Sequence, residues 1–162
     1  MPITKIVLNA SPLILLVNCE MENILPAMFQ KIVIPERVLK EISVSKHPDR
    51  CCHVLSKLHW LHKKSVTALP EIIQWDLGPG ETDAISFAVK HHNFCPVVDD
   101  LQAKKCINAL GLKSLGTGSL LILAKKNGLI DSVEQSLRRL QHAGLWISEP
   151  VIEMLKKRAD EN

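Results

Sequence analysis

Three short runs of apolar residues, each closed by a helix-opening signal, set the architecture this chain can adopt. They lie at 3–8, 31–34 and 95–98 and are rich in β-branched side chains. A strand covered on both faces reads as a continuous apolar run rather than an alternating one, so these fit the buried strands of a parallel sheet. The first run passes into Asn9-Ala10-Ser11-Pro12, where Ser11 suits an N-cap and Pro12 the first helical turn. Leu13, Leu16 and Val17 continue at helical spacing. After the second run Pro35 opens a helix with Val38, Leu39 and Ile42 on one face. After the third, Asp99-Asp100 leads into a helix over 101–110.

Helical periodicity also predicts helices over 24–29, 49–62, 81–91, 119–126, 131–142 and 150–158. Brief strands are expected at 65–69 and 113–115, and a turn at His47-Pro48-Asp49. Gly78-Pro79-Gly80 is the strongest break in the chain. Strands alternating with helices define an α/β sandwich around a mostly parallel sheet. A length of 162 residues supports one domain, 1–162, with a core of its own.

Acidic residues collect where such a sheet would bind a ligand. Asn9 ends the first run, Glu41 lies on the helix opened by Pro35, Glu81 and Asp83 follow the glycine break, and Asp99 and Asp100 end the third run. Ligands of open parallel sheets bind outside the carboxyl ends of the strands. Carboxylates converging there repel one another, and a hard divalent cation with oxygen ligands relieves that repulsion. Such a cation can activate water and steady a phosphate under attack, so the pattern suits a metal-dependent phosphodiesterase. Each acid also has a plainer reading. Glu81 and Asp83 suit a helix N-terminus through its dipole, Asp100 suits an N-cap, and Glu41 suits a solvated helix face. Taken singly the plainer reading is favoured; it is their joint placement that points to a site.

These segments resemble the PIN-domain family, and within it the VapC-like toxin ribonucleases. The resemblance lies in Asn9-Ala10-Ser11-Pro12-Leu13-Ile14, in Ile34-Pro35-Glu36-Arg37-Val38-Leu39-Lys40-Glu41 and in Leu77-Gly78-Pro79-Gly80-Glu81-Thr82-Asp83-Ala84-Ile85. It continues in Val97-Val98-Asp99-Asp100-Leu101-Gln102-Ala103, Gly116-Thr117-Gly118 and Ala124-Lys125-Lys126-Asn127-Gly128-Leu129-Ile130, blocks that span nearly the whole chain. It implies a PIN-like α/β/α sandwich and a Mg²⁺- or Mn²⁺-dependent endoribonuclease acting on single-stranded or structured RNA. It further implies a toxin held by a small antitoxin protein, and a homodimer. By position, Glu41 and Glu81 match two family acids and Asp99 or Asp100 a third. Asp83 is a neighbouring candidate metal ligand, with Ser11 and Thr117 in supporting positions. Thr117 stands where a family hydroxyl helps hold a metal-bound water.

Asn9 departs from the pattern, because the family carries an aspartate there that serves as a principal metal ligand. Asn keeps one carbonyl oxygen and loses the charge, so the chain as written is expected to be impaired. An engineered change and a natural variant both fit the sequence. The alternative is a non-catalytic PIN-like module that binds RNA or protein. Plainer still is an interaction domain whose acids are all caps.

The remaining features narrow the field. A net charge of +3 is compatible with nucleic acid but too mild to define a partner. Five cysteines, an odd number without framework spacing, argue against a disulfide-stapled secreted protein. Cys51, Cys52, His53, His59 and His62 crowd one stretch, with His59 and His62 expected on one helix face. Their spacing fits no standard zinc site, and a surface helix with buried cysteines is preferred. His91 and His92 suit a helix C-terminus. Trp60, Trp75 and Trp146 are expected in core or interface positions rather than as base-stacking platforms. The absence of Tyr disfavours an aromatic single-strand binding face, and no Walker-type loop supports an NTPase. No apolar segment is long enough to span a membrane and no signal peptide opens the chain, so a cytoplasmic protein is expected.

Overall fold

A computed structural model describes residues 2–44 and 50–162, and the turn expected at His47-Pro48-Asp49 lies outside them. The elements run β1 (Lys5–Leu8), α1 (Ala10–Asn18), α2 (Ile24–Met28), β2 (Lys31–Pro35), α3 (Glu36–Ser43), α4 (Arg50–Val54), β3 (Leu61–Lys64), α5 (Pro70–Ile73), α6 (Pro79–Lys90), β4 (Cys95–Val97), α7 (Leu101–Ala109), α8 (Thr117–Lys126), α9 (Val133–His142) and α10 (Glu149–Arg158).

The four strands form one parallel sheet in the order β3-β2-β1-β4. The chain lays down β1, β2 and β3 in one direction, then returns to add β4 on the far side of β1. Strand order therefore reverses between β1 and β4, and a crevice opens at the carboxyl ends of strands flanking such a reversal. Asn9 and Asp99 follow those two strands. The Asn9 N–H donates to the Val97 carbonyl oxygen (3.2 Å) and ties the two ends together.

Both faces of the sheet are covered, as the continuous apolar runs predict. Ile6, Leu8, Ile32 and Ile34 pack into the main core with residues of α1, α2, α8, α9 and α10. Val7 and Val33 point the other way, against Ala84, Phe87 and Ala88 of α6. A smaller cluster joins Ile72, Ile85 and Val98 to Ala103, Cys106 and Ile107 of α7. The result is an α/β/α sandwich.

Several local expectations are corrected. The helix expected over 49–62 is only α4, followed by a 3₁₀ turn at Leu55–Lys57, and the chain then enters β3. β3 pairs Leu61 with Ile32 and Lys64 with Pro35, so His62 lies on a strand and shares no helix face with His59. This edge strand escapes a hydrophobic pattern because His62, Lys63 and Lys64 are exposed; lysines on an edge also discourage pairing with other chains. It ends where the strand expected at 65–69 would begin. The strand expected at 113–115 is a single bridge from Leu115 to Val97. The short helix α5 was not expected. Asn9, not Ser11, precedes α1 as its N-cap residue, and its side chain makes no cap bond. Trp146 is 91% exposed, which excludes the core half of its expected core or interface placement.

Candidate active site

β2 runs into α3 without a loop, because Pro35 holds extended backbone at φ −63° and ψ 146° and then starts the helix. Val38 and Ile42 anchor α3 on the core, which turns Glu41 toward the N-terminus of α6. There the Gly80 N–H donates to Glu41 Oε1 (2.7 Å). Glu81, one residue on, accepts at Oε2 from the Gly78 N–H (3.0 Å), which closes the first turn of α6 from the N3 side chain alone. Its other oxygen, Oε1, accepts from Asn9 Nδ2 (3.2 Å).

Asn9 and Glu41 thus meet over Gly80, and Glu81 joins them through Asn9. A Cβ on Gly80 would stand 2.7 Å from Glu41 Oε1 and 3.0 Å from both Asn9 Oδ1 and Glu41 Oε2. Only a residue without a side chain permits this approach. Asn9 is nearly buried, and its Oδ1 accepts no hydrogen bond. A buried amide oxygen without a donor is costly and marks a place for a partner. Glu41 is an exposed residue, yet its carboxyl is pushed above the ordinary value. Desolvation of the group raises it most, the Gly80 N–H opposes, and the charge of Glu81 raises it further.

The β4 side of the crevice holds Asp99. Its Oδ1 accepts from the Thr117 N–H (2.8 Å) and its Oδ2 from Thr117 Oγ1 (2.5 Å). Thr117 is fully buried at the start of α8, so the carboxylate also faces the positive end of that helix. Lys104 Nζ and Asp99 Oδ1 each lie 3.2 Å from where a Cβ on Gly116 would stand.

The other candidates go elsewhere. Asp100 accepts at Oδ2 from the Ala103 N–H (2.9 Å) and caps α7, the plainer reading of its sequence position. Asp83 is 1% exposed, and both of its oxygens accept from Arg37, Nε at 2.8 Å and Nη2 at 2.9 Å. Ser11 is exposed in the first turn of α1. Sequence reasoning did not single out Gly80, Arg37 or Lys104. Gly80 was visible only as a helix breaker, and nothing in the spacing of Arg37 and Asp83 announces their contact. Among the described residues no three His, Cys, Asp or Glu side chains stand together as a metal-holding group. None of the five cysteines is in a disulfide, and burial pushes the Cys95 thiol up to about 11. A cavity of about 680 Å³ lies at the opposite end of the sheet beside Ile3, Phe29 and Leu112 and is lined by no acid.

Oxygen-bearing side chains thus flank the switch point between β1 and β4 of an α/β/α sandwich. The sequence profile of the PIN domain matches residues 5–161, and the chain belongs to the PIN-domain family. PIN domains are generally nucleases that use divalent metals. No curated protein matches the chain.

The residues around Gly80 fit such a metal by their chemistry. Asn9 Oδ1 is an oxygen donor without a partner, Glu41 is a desolvated carboxylate beside it, and no side chain at position 80 fills the space between. The fit is weakened by one charge, because the amide of Asn9 stands where a carboxylate would add one.

Proposed function

We propose that this protein is a divalent-metal-dependent endoribonuclease of the VapC-like toxin type, using Mg²⁺ or Mn²⁺ and reduced in activity by Asn9. The carrying observation is the orphaned Asn9 Oδ1 beside Glu41 over Gly80. On this reading Asn9, Glu41, Glu81 and Asp99 hold the metal. A bound divalent ion would supply Lewis-acid stabilisation of charge at the scissile phosphate.

The chain's own groups prepare that site. Glu81 fixes the first turn of α6 and the amide of Asn9 together, so the crevice wall does not depend on a loop. Thr117 holds the Asp99 carboxylate with two donors and sets its direction. Glu41 accepts from the Gly80 N–H, which sets its carboxylate beside Asn9 Oδ1. A small antitoxin partner, a homodimeric assembly and a cytoplasmic setting accompany this reading.

The second reading, a non-catalytic PIN-like RNA- or protein-binding module, draws support from the bond between Asn9 and Glu81. That bond satisfies without a metal a pair of side chains that would repel if both were acids. The test is Mn²⁺-dependent cleavage of a labelled single-stranded RNA by the protein and its Asn9→Asp variant side by side. Cleavage by the variant alone supports a nuclease site disabled at position 9. Cleavage by both makes Asn9 a tolerated ligand. If neither folded protein cuts, the binding-module reading replaces the nuclease.

A further inference from the structure

Beside Asp99 the crevice continues into a cavity of about 220 Å³ between the start of α8, the α9–α10 loop and α10. Asp99, Lys104, Thr117, Trp146, Met154 and Arg158 are among the residues lining it. Trp146 is 91% exposed. Its neighbours Leu145 and Ile147 are partly buried against the main core, and the Leu145 N–H donates to the Leu140 carbonyl (2.9 Å). Gln141 Nε2 donates to the Ile147 carbonyl (3.3 Å). The loop is therefore pinned on both sides of an indole that it presents to solvent. An aromatic held outward on a fixed backbone loses little freedom when a flat partner covers it.

The cations of this cavity complete the pattern. Lys104 comes close to Asp99 without forming an ion pair, and Arg158 is exposed on the last turn of α10. Neither is paired with a carboxylate among the described residues. Two cations outside any ion pair, beside an exposed indole, match a strand that offers phosphates and unpaired bases. A duplex keeps its bases stacked inside, out of reach of a single platform.

We propose that Trp146 is a stacking platform that seats one base of single-stranded RNA next to Asp99, with Lys104 and Arg158 holding the adjoining phosphates. Trp146 is a positioning residue: it orders the strand at the crevice and does not touch the reacting atoms. The proposal rests on the nuclease reading for its substrate, and it adds the residues that seat the strand beside Asp99.

The test measures anisotropy of a short fluorescein-labelled RNA of mixed sequence in EDTA, so that binding is read without cleavage. A blunt duplex of the same sequence serves as comparison. Trp146→Ala is expected to weaken single-strand binding about ten-fold or more, the effect of one stacked base, while Trp146→Phe keeps most of it. Duplex affinity should be weaker in the parent and unmoved by either variant. In a Trp60→Phe/Trp75→Phe background, Trp146 emission should be quenched as single-stranded RNA is added.

Equal single-strand affinity in parent and Trp146→Ala, or a preference for duplex, overturns the platform while leaving metal-dependent cleavage intact as a separate result. If Trp146→Ala instead dissociates a dimer and leaves RNA affinity unchanged, the patch is a contact between copies and the proposal falls. A parent that neither binds nor cuts RNA removes both the platform and the nuclease reading.

Discussion

Asn9 Nδ2 donates to Glu81 Oε1 across 3.2 Å, joining the end of β1 to the first turn of α6 at the crevice. An aspartate at position 9 would place a second carboxylate against that of Glu81 and within reach of Glu41. Without metal, Asn9→Asp should therefore lose about 1–3 kcal/mol of stability, the range for a broken buried hydrogen bond. Mn²⁺ should recover that loss and raise the melting temperature further with concentration, whereas the parent should respond weakly. Thermal melts of both proteins across a Mn²⁺ series test this. Equal metal responses would show that position 9 does not contribute to the ion's site.

Gly80 lies inside a helix, where exchange for alanine ordinarily gains about 0.5–1 kcal/mol. The opposite is expected here, because the new Cβ would stand 2.7 Å from Glu41 Oε1. Gly80→Ala should push Glu41 away from the Gly80 N–H, and loss of that hydrogen bond, about 0.5–1.5 kcal/mol, should outweigh the helical gain. Denaturant melts will read the sign. A stabilised variant would mean that the Glu41 side chain moves aside freely, and that the convergence at Gly80 is loose.

Asp99 and Asp100 are adjacent in sequence and differ in what they hold. Asp100→Ala should cost about 0.5–2 kcal/mol through the lost cap of α7 and leave Mn²⁺ affinity unchanged. Asp99→Asn should lower Mn²⁺ affinity in the Asn9→Asp background. Calorimetric titration of both in that background separates them. A loss of metal binding on changing Asp100 would reverse the assignment.

The fold was more legible in the sequence than the site was. Strands β1, β2 and β4 announce themselves because burial on both faces demands unbroken apolar runs, and the helix that follows each is signalled by proline or a capping acid. β3 was hidden: an edge strand whose His62, Lys63 and Lys64 face solvent carries no hydrophobic pattern, so it was read as helix. At the site, sequence position alone grouped Asp83 and Asp100 with Glu41, Glu81 and Asp99. Separating them requires knowing which partner reaches each carboxylate. The Arg37–Asp83 pair bridges α3 and α6, and such contacts between distant segments leave no local trace.

That same pair predicts a purely structural effect. Arg37→Met would leave Asp83 buried without a counter-charge, at a cost of about 3 kcal/mol, the lower end for a broken buried pair since Arg37 itself is half-exposed. Mn²⁺ affinity in the Asn9→Asp background should not change. Urea melts measure the first and titration the second. A changed affinity would bring Asp83 back into the metal site.

At the far end of the chain, Glu161 locks α8 and α9 together. Its carboxylate accepts from Lys125 Nζ (2.8 Å), from the N–H groups of Val133 (2.6 Å) and Glu134 (3.1 Å), and from Ser132 Oγ (3.1 Å). Burial alone would raise its pKa, but those four donors outweigh it and hold the group down at about 2, against an ordinary 4.5. A carboxyl depressed in the folded state stabilises fully above the unfolded value. That contribution, on the order of 1–2 kcal/mol once solvent screening is allowed for, is lost as pH falls from the ordinary value through the folded one. Between pH 4.5 and 2 the parent should therefore lose this increment. Glu161→Gln, already without it, should show a flatter decline across the same window in melts at matched ionic strength. Parallel declines would mean that the charge of Glu161 is not what ties the C-terminus to the helix whose first turn carries Thr117.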